Sequence, residues 1–182
     1  MIGYKFLRPG RRSLFARVQW PLPSEAGGAW LEAAPGPLVA CKNGLHACRI
    51  EDLAFWIGEE LWEVELDAEL AAAPDAIVAR RARLLRPIEA WSAQAPRAFG
   101  QSCIARARAQ LGPAGLAPDH IAARYLEQAE QLDGTGYIAA LSYAAALACA
   151  LIVPPSAAVA AFRSERAAQG PLLAEAAGLP NR

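Results

Sequence analysis

Residues 38–67 read LVACKNGLHACRIEDLAFWIGEELWEVELD, and their hydrophobic period changes twice. Asn43-Gly44 between two short apolar runs predicts a two-residue hairpin, because a type I′ turn needs positive φ at both central positions and Asn-Gly tolerates it. That register sets Cys41 opposite His46 and Val39 opposite Cys48, so Val39, Cys41, His46 and Cys48 share one side of the ribbon. Ile50, Leu53, Ala54 and Ile57 then recur with helical spacing behind the acids Glu51 and Asp52, which predicts a helix stopped near Gly58. From Leu61 the period becomes two. Trp62, Val64 and Leu66 fall on one face and Glu63, Glu65 and Asp67 on the other, the pattern of a half-buried strand.

Working outward, Ile2, Tyr4 and Phe6 alternate in a first strand ending near Pro9-Gly10, and residues 11–20 hold a second short strand anchored by Phe15, Val18 and Trp20. Repeated Pro and Gly make 21–37 a loop, with Trp30-Leu31 as a short extended piece. Residues 77–86 lie between Pro74 and Pro87 and predict one further strand, its arginines facing Glu63, Glu65 and Asp67. The same arginines also offer a platform for a phosphate. All five tryptophans lie at or before Trp91, and alanine dominates afterwards. Helices are expected over 97–111, 118–132, 136–152, 155–168 and 171–177, punctuated by Gly112-Pro113, Asp133-Gly134 and Pro154-Pro155. The expected fold is α+β: a small, mainly antiparallel sheet with one packed helix over residues 1–90, and an Ala-rich helical bundle over 91–182 packed on it.

Equal numbers of Lys+Arg and Asp+Glu argue against bulk attraction to nucleic acid or membrane. The opening residues lack the apolar core of a signal peptide, and four cysteines in 182 residues are no secreted disulfide framework. A cytoplasmic protein is expected. The apolar run 137–153 is short for a membrane span and predicts a buried helix.

Three chemistries are open to the hairpin face. Its cysteines and histidine can line a core. Cys41, His46 and Cys48 can supply three legs of a tetrahedral zinc site, with Cys103, His120 or water as the fourth. Cys41 and His46 can form a nucleophilic dyad, although no orienting acid is identifiable. His120, near a helix start, is expected at the surface or beside a cap.

The order Gly44-Leu45-His46-Ala47, Glu51-Asp52-Leu53-Ala54-Phe55-Trp56 and Leu61-Trp62-Glu63-Val64-Glu65-Leu66 resembles an uncharacterised bacterial and phage family with a Cys…Gly-Leu/Phe-His-Ala-Cys core. The opening Tyr4-Lys5-Phe6-Leu7 and the run from Val78 to Leu85 resemble it too. More remotely, the Gly-Leu-His-Ala strand, the aromatic helix and the Val-Glu-Leu strand look like the Gly-x-Tyr-Phe-Ala region of ADP-ribosyltransferase folds. That resemblance implies an NAD-binding cleft beside His46, with His46 in the place of the aromatic residue that stacks on nicotinamide. Tyr4, Arg8 and Gly44 would contribute to the cofactor site, and Glu63 or Glu65 would serve with His46 in catalysis by stabilising a ribosyl oxocarbenium. The rival expectation is a non-enzymatic interaction module that meets a protein partner, or a second copy of itself, through the helical half.

Overall fold

The computed structural model describes residues 1–23, 28–92 and 94–180, and the part of the expected 21–37 loop at 24–27 lies outside the described residues. The chain has an α+β architecture and divides into two compact units, Met1–Glu89 and Ala90–Arg182.

In the first unit, β1 (Ile2–Arg8), β2 (Arg12–Ser13), β3 (Leu31–Glu32), β5 (Glu60–Leu66) and β8 (Arg81–Pro87) build a five-stranded antiparallel sheet in the order β2-β1-β5-β8-β3. A second sheet orders β4 (Leu45–Ala47), β7 (Ala76–Ala79) and β6 (Leu70–Ala73) as β4-β7-β6. The apolar face expected of 61–67 holds, but the strand is more than half-buried, since Leu61 and Glu63 on the other face are buried as well. Val64 and Leu66 are buried in a core with Leu7, Trp20, Ile77 and Leu84, while the acids on the opposite face pair across β8. Arg86 meets Glu63 at 2.6 Å, Arg83 meets Glu65 at 2.6 Å and Arg81 meets Asp67 at 3.4 Å. A bulge between Glu63 and Val64 adjusts this register.

The strand expected over 77–86 is two strands, β7 and β8, in different sheets. Arg80 stands at the break, where its guanidinium reaches the carbonyls of Ala34 and Gly36 and the carboxylate of Glu69. A side chain with three such partners holds a corner that an extended run would not make. Residues 70–73, for which no element was expected, form β6.

The Asn43-Gly44 hairpin is absent. The chain turns earlier, between Val39 and Asn43, with N–H groups of Lys42 and Asn43 both donating to Val39 O, and Cys41 adopts φ +61°. Asn43 instead spends its amide tying Ala34 O and Pro37 O at 3.0 and 3.1 Å. β4 finds its partner in β7, pairing His46 with Val78. Gly44, at φ +140°, lies so close to β7 that a Cβ would stand 2.1 Å from Val78 Cγ1. The helix expected after the hairpin is a 3-10 helix, Ile50–Phe55, whose buried Asp52 accepts from the Arg49 N–H at 3.1 Å and from its Nε at 2.7 Å.

The second unit is helical: α1 (Gln94–Leu111), a 3-10 turn (Gly112–Ala114), α2 (Ile121–Gln131), α3 (Ile138–Ala150) and α4 (Pro155–Ala176). Ala95, Phe99, Cys103, Ala107 and Leu111 recur every fourth residue on the buried side of α1. Alanines at 144, 145, 146, 148 and 150 bury α3 on most sides, which small side chains permit because they allow close backbone approach. α4 runs through Pro171, contrary to the separate piece expected at 171–177. The buried series Glu165, Arg166, Gln169, Gly170, Leu173 and Ala174 continues across it, so packing holds the helix although proline removes one N–H donor. Among the described residues no helix is long and apolar enough to cross a membrane.

Candidate functional site

Where β4 leaves its sheet, Cys48 exchanges two backbone hydrogen bonds with Tyr4 of β1, at 2.9 and 2.7 Å. This bridge seats His46 beside Lys5. A cavity of about 540 Å³ opens there, within the range of small-molecule sites. Its walls come from three stretches distant in sequence. β1 gives Lys5 and Phe6, the segment after β2 gives Leu14, Phe15, Val18 and Trp20, and the turn with β4 gives Cys41, Lys42, Gly44, Leu45 and His46; Trp56 closes one side.

The aromatic groups are placed for flat contacts. The Trp56 and Phe15 rings meet edge to face at 5.8 Å, and His46 lies 6.2 Å from Trp56. Trp56 Nε1 donates to Asp75 O at 2.6 Å and Trp20 Nε1 to Ser13 Oγ at 3.1 Å, so each indole is oriented by its polar edge. Phe15, an expected apolar anchor, is instead 83% exposed at the rim, whereas Trp20 is 1% exposed.

The polar groups are few and convergent. Lys5 Nζ donates to His46 O at 2.7 Å and stands 5.1 Å from the Trp20 ring centroid. Burial brings the Lys5 ammonium down from 10.5 to about 8, only partly offset by the Cys48 thiol. Burial also lowers His46, Lys5 adds to that, and Asp75 opposes it. Its Nε2 accepts from the Cys41 N–H at 3.0 Å, which puts the proton of the neutral ring on Nδ1. Burial pushes the Cys48 thiol up to about 12, so it is no nucleophile at neutral pH. No carboxylate lines the cavity among the described residues.

The structure thus brings Cys41, Gly44, His46 and Cys48 to one cavity, but by the turn between Val39 and Asn43 rather than by cross-strand pairing; Val39 is not part of its lining. Glu63 and Glu65 are elsewhere, held in the ion pairs with Arg86 and Arg83 on the sheet face. Tyr4 is buried behind the cavity wall and Arg8 is exposed at the end of β1; neither lines the cavity. Among the described residues no three His, Cys, Asp or Glu side chains are grouped to hold a metal ion, Cys41, His46 and Cys48 included. Cys41 reaches His46 through its backbone N–H, which donates to Nε2. Cys103 is buried in α1, and His120 caps α2 by accepting from the Ala122 N–H at 3.2 Å.

Comparison with family models, with curated proteins and with solved structures gives no match.

Sequence reasoning missed Lys5, Lys42, Trp20 and Trp56 as site residues. One signal was available. The chain has sixteen arginines and two lysines, and both lysines line this cavity.

Proposed function

We propose that the first unit is a binding domain for a small, flat, conjugated molecule carrying one anionic or carbonyl oxygen, seated against Trp56 and Phe15 with that oxygen toward Lys5. The observation that carries the reading is the cavity's composition, aromatic walls with two lysines and, among the described residues, no lining acid. An aromatic face supplies contact area at little entropic cost, and an ammonium in an apolar site is a strong partner for a single oxyanion. The lowered Lys5 value supports it too, since an anion bound beside Lys5 restores a charge that burial disfavours.

NAD is a less favourable occupant on the same chemistry. Its oxidised nicotinamide ring is a cation, and ribosyl transfer needs an acid at the glycosidic bond, whereas Glu63 and Glu65 are committed to arginines. Calorimetric titration separates the two. Benzoate and nicotinate should bind with micromolar to millimolar affinity, and Trp56→Ala should weaken them about tenfold, the worth of roughly one good aromatic contact. NAD binding more tightly than nicotinate, with release of nicotinamide, would overturn the anion reading in favour of ADP-ribosyl chemistry; absence of saturable binding by any aromatic anion would remove the pocket reading altogether.

A further inference from the structure

Lys5 is a buried primary amine in the wall of an apolar, aromatic-lined cavity. Its Nζ is positioned by the His46 carbonyl at 2.7 Å and by the face of Trp20. The titratable groups around it are His46, lowered by burial, Cys48, held as a thiol, and Cys41 and Lys42 in the lining, while Asp75, outside the lining, acts on both His46 and Cys48. No lining carboxylate is present among the described residues to keep the ammonium charged. Arginine cannot do amine chemistry, so a chain that uses sixteen arginines and yet places both its lysines at one cavity has concentrated its side-chain amines there.

We propose that Lys5 is a carbonyl-condensing residue, forming a reversible imine with an aromatic or conjugated aldehyde or ketone whose acidic substituent points toward Lys42 at the cavity mouth. This rests on the reading of the cavity as a small-molecule site and names the substrate class it takes. The neutral amine's lone pair forms the N–C bond as the carbonyl π bond breaks. The resulting carbinolamine loses its hydroxyl with a nitrogen proton, so oxygen and both amine protons depart as one water. No electrons are gained or lost. The buried lysine is poised for the first step, because at neutral pH a group titrating near 8 is deprotonated about three-hundredfold more often than an ordinary lysine. Its lower basicity returns part of that advantage, leaving about a tenfold preference.

The test uses the full chain with para-carboxybenzaldehyde and cyanoborohydride, which reduces the imine to a stable amine, followed by peptide mapping by mass spectrometry. Competing amines are confined to Lys42 and the Met1 α-amine, which donates to Leu66 O. The expected result is an adduct on Lys5 at least about tenfold faster than on Lys42 at pH 7.5, suppressed by excess benzoate and lost in Lys5→Arg. Benzoate binding without a preferred Lys5 adduct overturns the condensation and leaves the binding site standing. An adduct on Lys5 that excess benzoate does not suppress overturns its placement in the cavity. Failure of both benzoate binding and adduct formation sinks the pocket reading and this inference together. The comparison of Lys5 with Lys42 and its suppression by benzoate are read on the natural sequence, so they do not depend on how a variant folds.

Discussion

Replacing Lys5 by Met isolates the energetic consequence of placing an ammonium in this cavity. In the folded chain Lys5 titrates at about 8, against 10.5 when unfolded, so the two states differ by about 2.5 pH units. Below pH 8 both states hold the proton and the cost of burying the charge is fully present. Between pH 8 and 10.5 the unfolded chain binds a proton that the folded chain has released, so stability rises with pH at about 1.4 kcal/mol per unit. The full span corresponds to about 3 kcal/mol, and water at the cavity mouth trims this to about 2–3 kcal/mol. Other groups work against this trend. Cys48, Cys103 and Cys149 are buried thiols raised to about 12, and an unfolded thiol near 9 gives up its proton first, so these three lower stability above pH 9. The difference between wild type and Lys5→Met cancels them, because both chains keep all three. Urea unfolding from pH 7 to pH 10 should therefore show wild type gaining about 2 kcal/mol relative to Lys5→Met. A difference that stays flat across that range would refute the reasoning, because it would mean that Lys5 is solvated as in the unfolded chain.

Gly44→Ala should destabilise by about 2–3 kcal/mol in the same assay, since the new methyl collides with Val78 at a backbone angle that L-residues rarely adopt. In the helical unit, buried Gln169 accepts from Arg166 at 2.8 Å and donates to Ser142 O at 3.0 Å; Gln169→Leu strips partners from both and should lower stability by about 2 kcal/mol. By contrast Glu65→Ala, which removes a partly exposed pair with Arg83, should cost less than about 1 kcal/mol and leave ligand titrations unchanged. A loss of binding in Glu65→Ala would show that the sheet-face acids serve the site after all.

The legible parts of this fold are those with a local cause. Strict alternation at Trp62, Val64 and Leu66, with acids between, pointed to arginine partners on the next strand, which complementary charge favours. The bulge between Glu63 and Val64 that brings Arg86 into line with Arg81 and Arg83 has no signal in a period of two. The helix expected over 97–111 was legible too, from its alanines and the Gly112-Pro113 stop behind it. The failures have non-local causes. Asn43-Gly44 carries a hairpin signal, but a hairpin also needs two strands that prefer each other, and β4 pairs better with the apolar β7. Arg80 breaks an apparently continuous strand through carbonyls more than forty residues earlier in the chain. Pro171 reads as a stop, yet burial on both sides of it outweighs one lost donor.

The site divides in the same way. His46, Gly44 and Cys48 were found because they cluster in sequence; Cys41 was found beside His46 through a register that does not form. Lys5, Trp20 and Trp56 were missed because they converge only when Tyr4 and Cys48 bridge. Glu63 and Glu65 were candidates through the resemblance alone, and the arginines expected opposite them hold both in ion pairs on the sheet face.

With two lysines in the chain, isotope-labelled lysine gives two side-chain signals in an NMR spectrum, and these report directly on the cavity. Titrating benzoate should shift the Lys5 signal in a saturable way and raise its titration midpoint from about 8, because a bound anion favours the ammonium. A Lys5 signal that titrates like an ordinary lysine and does not move with benzoate would contradict the account.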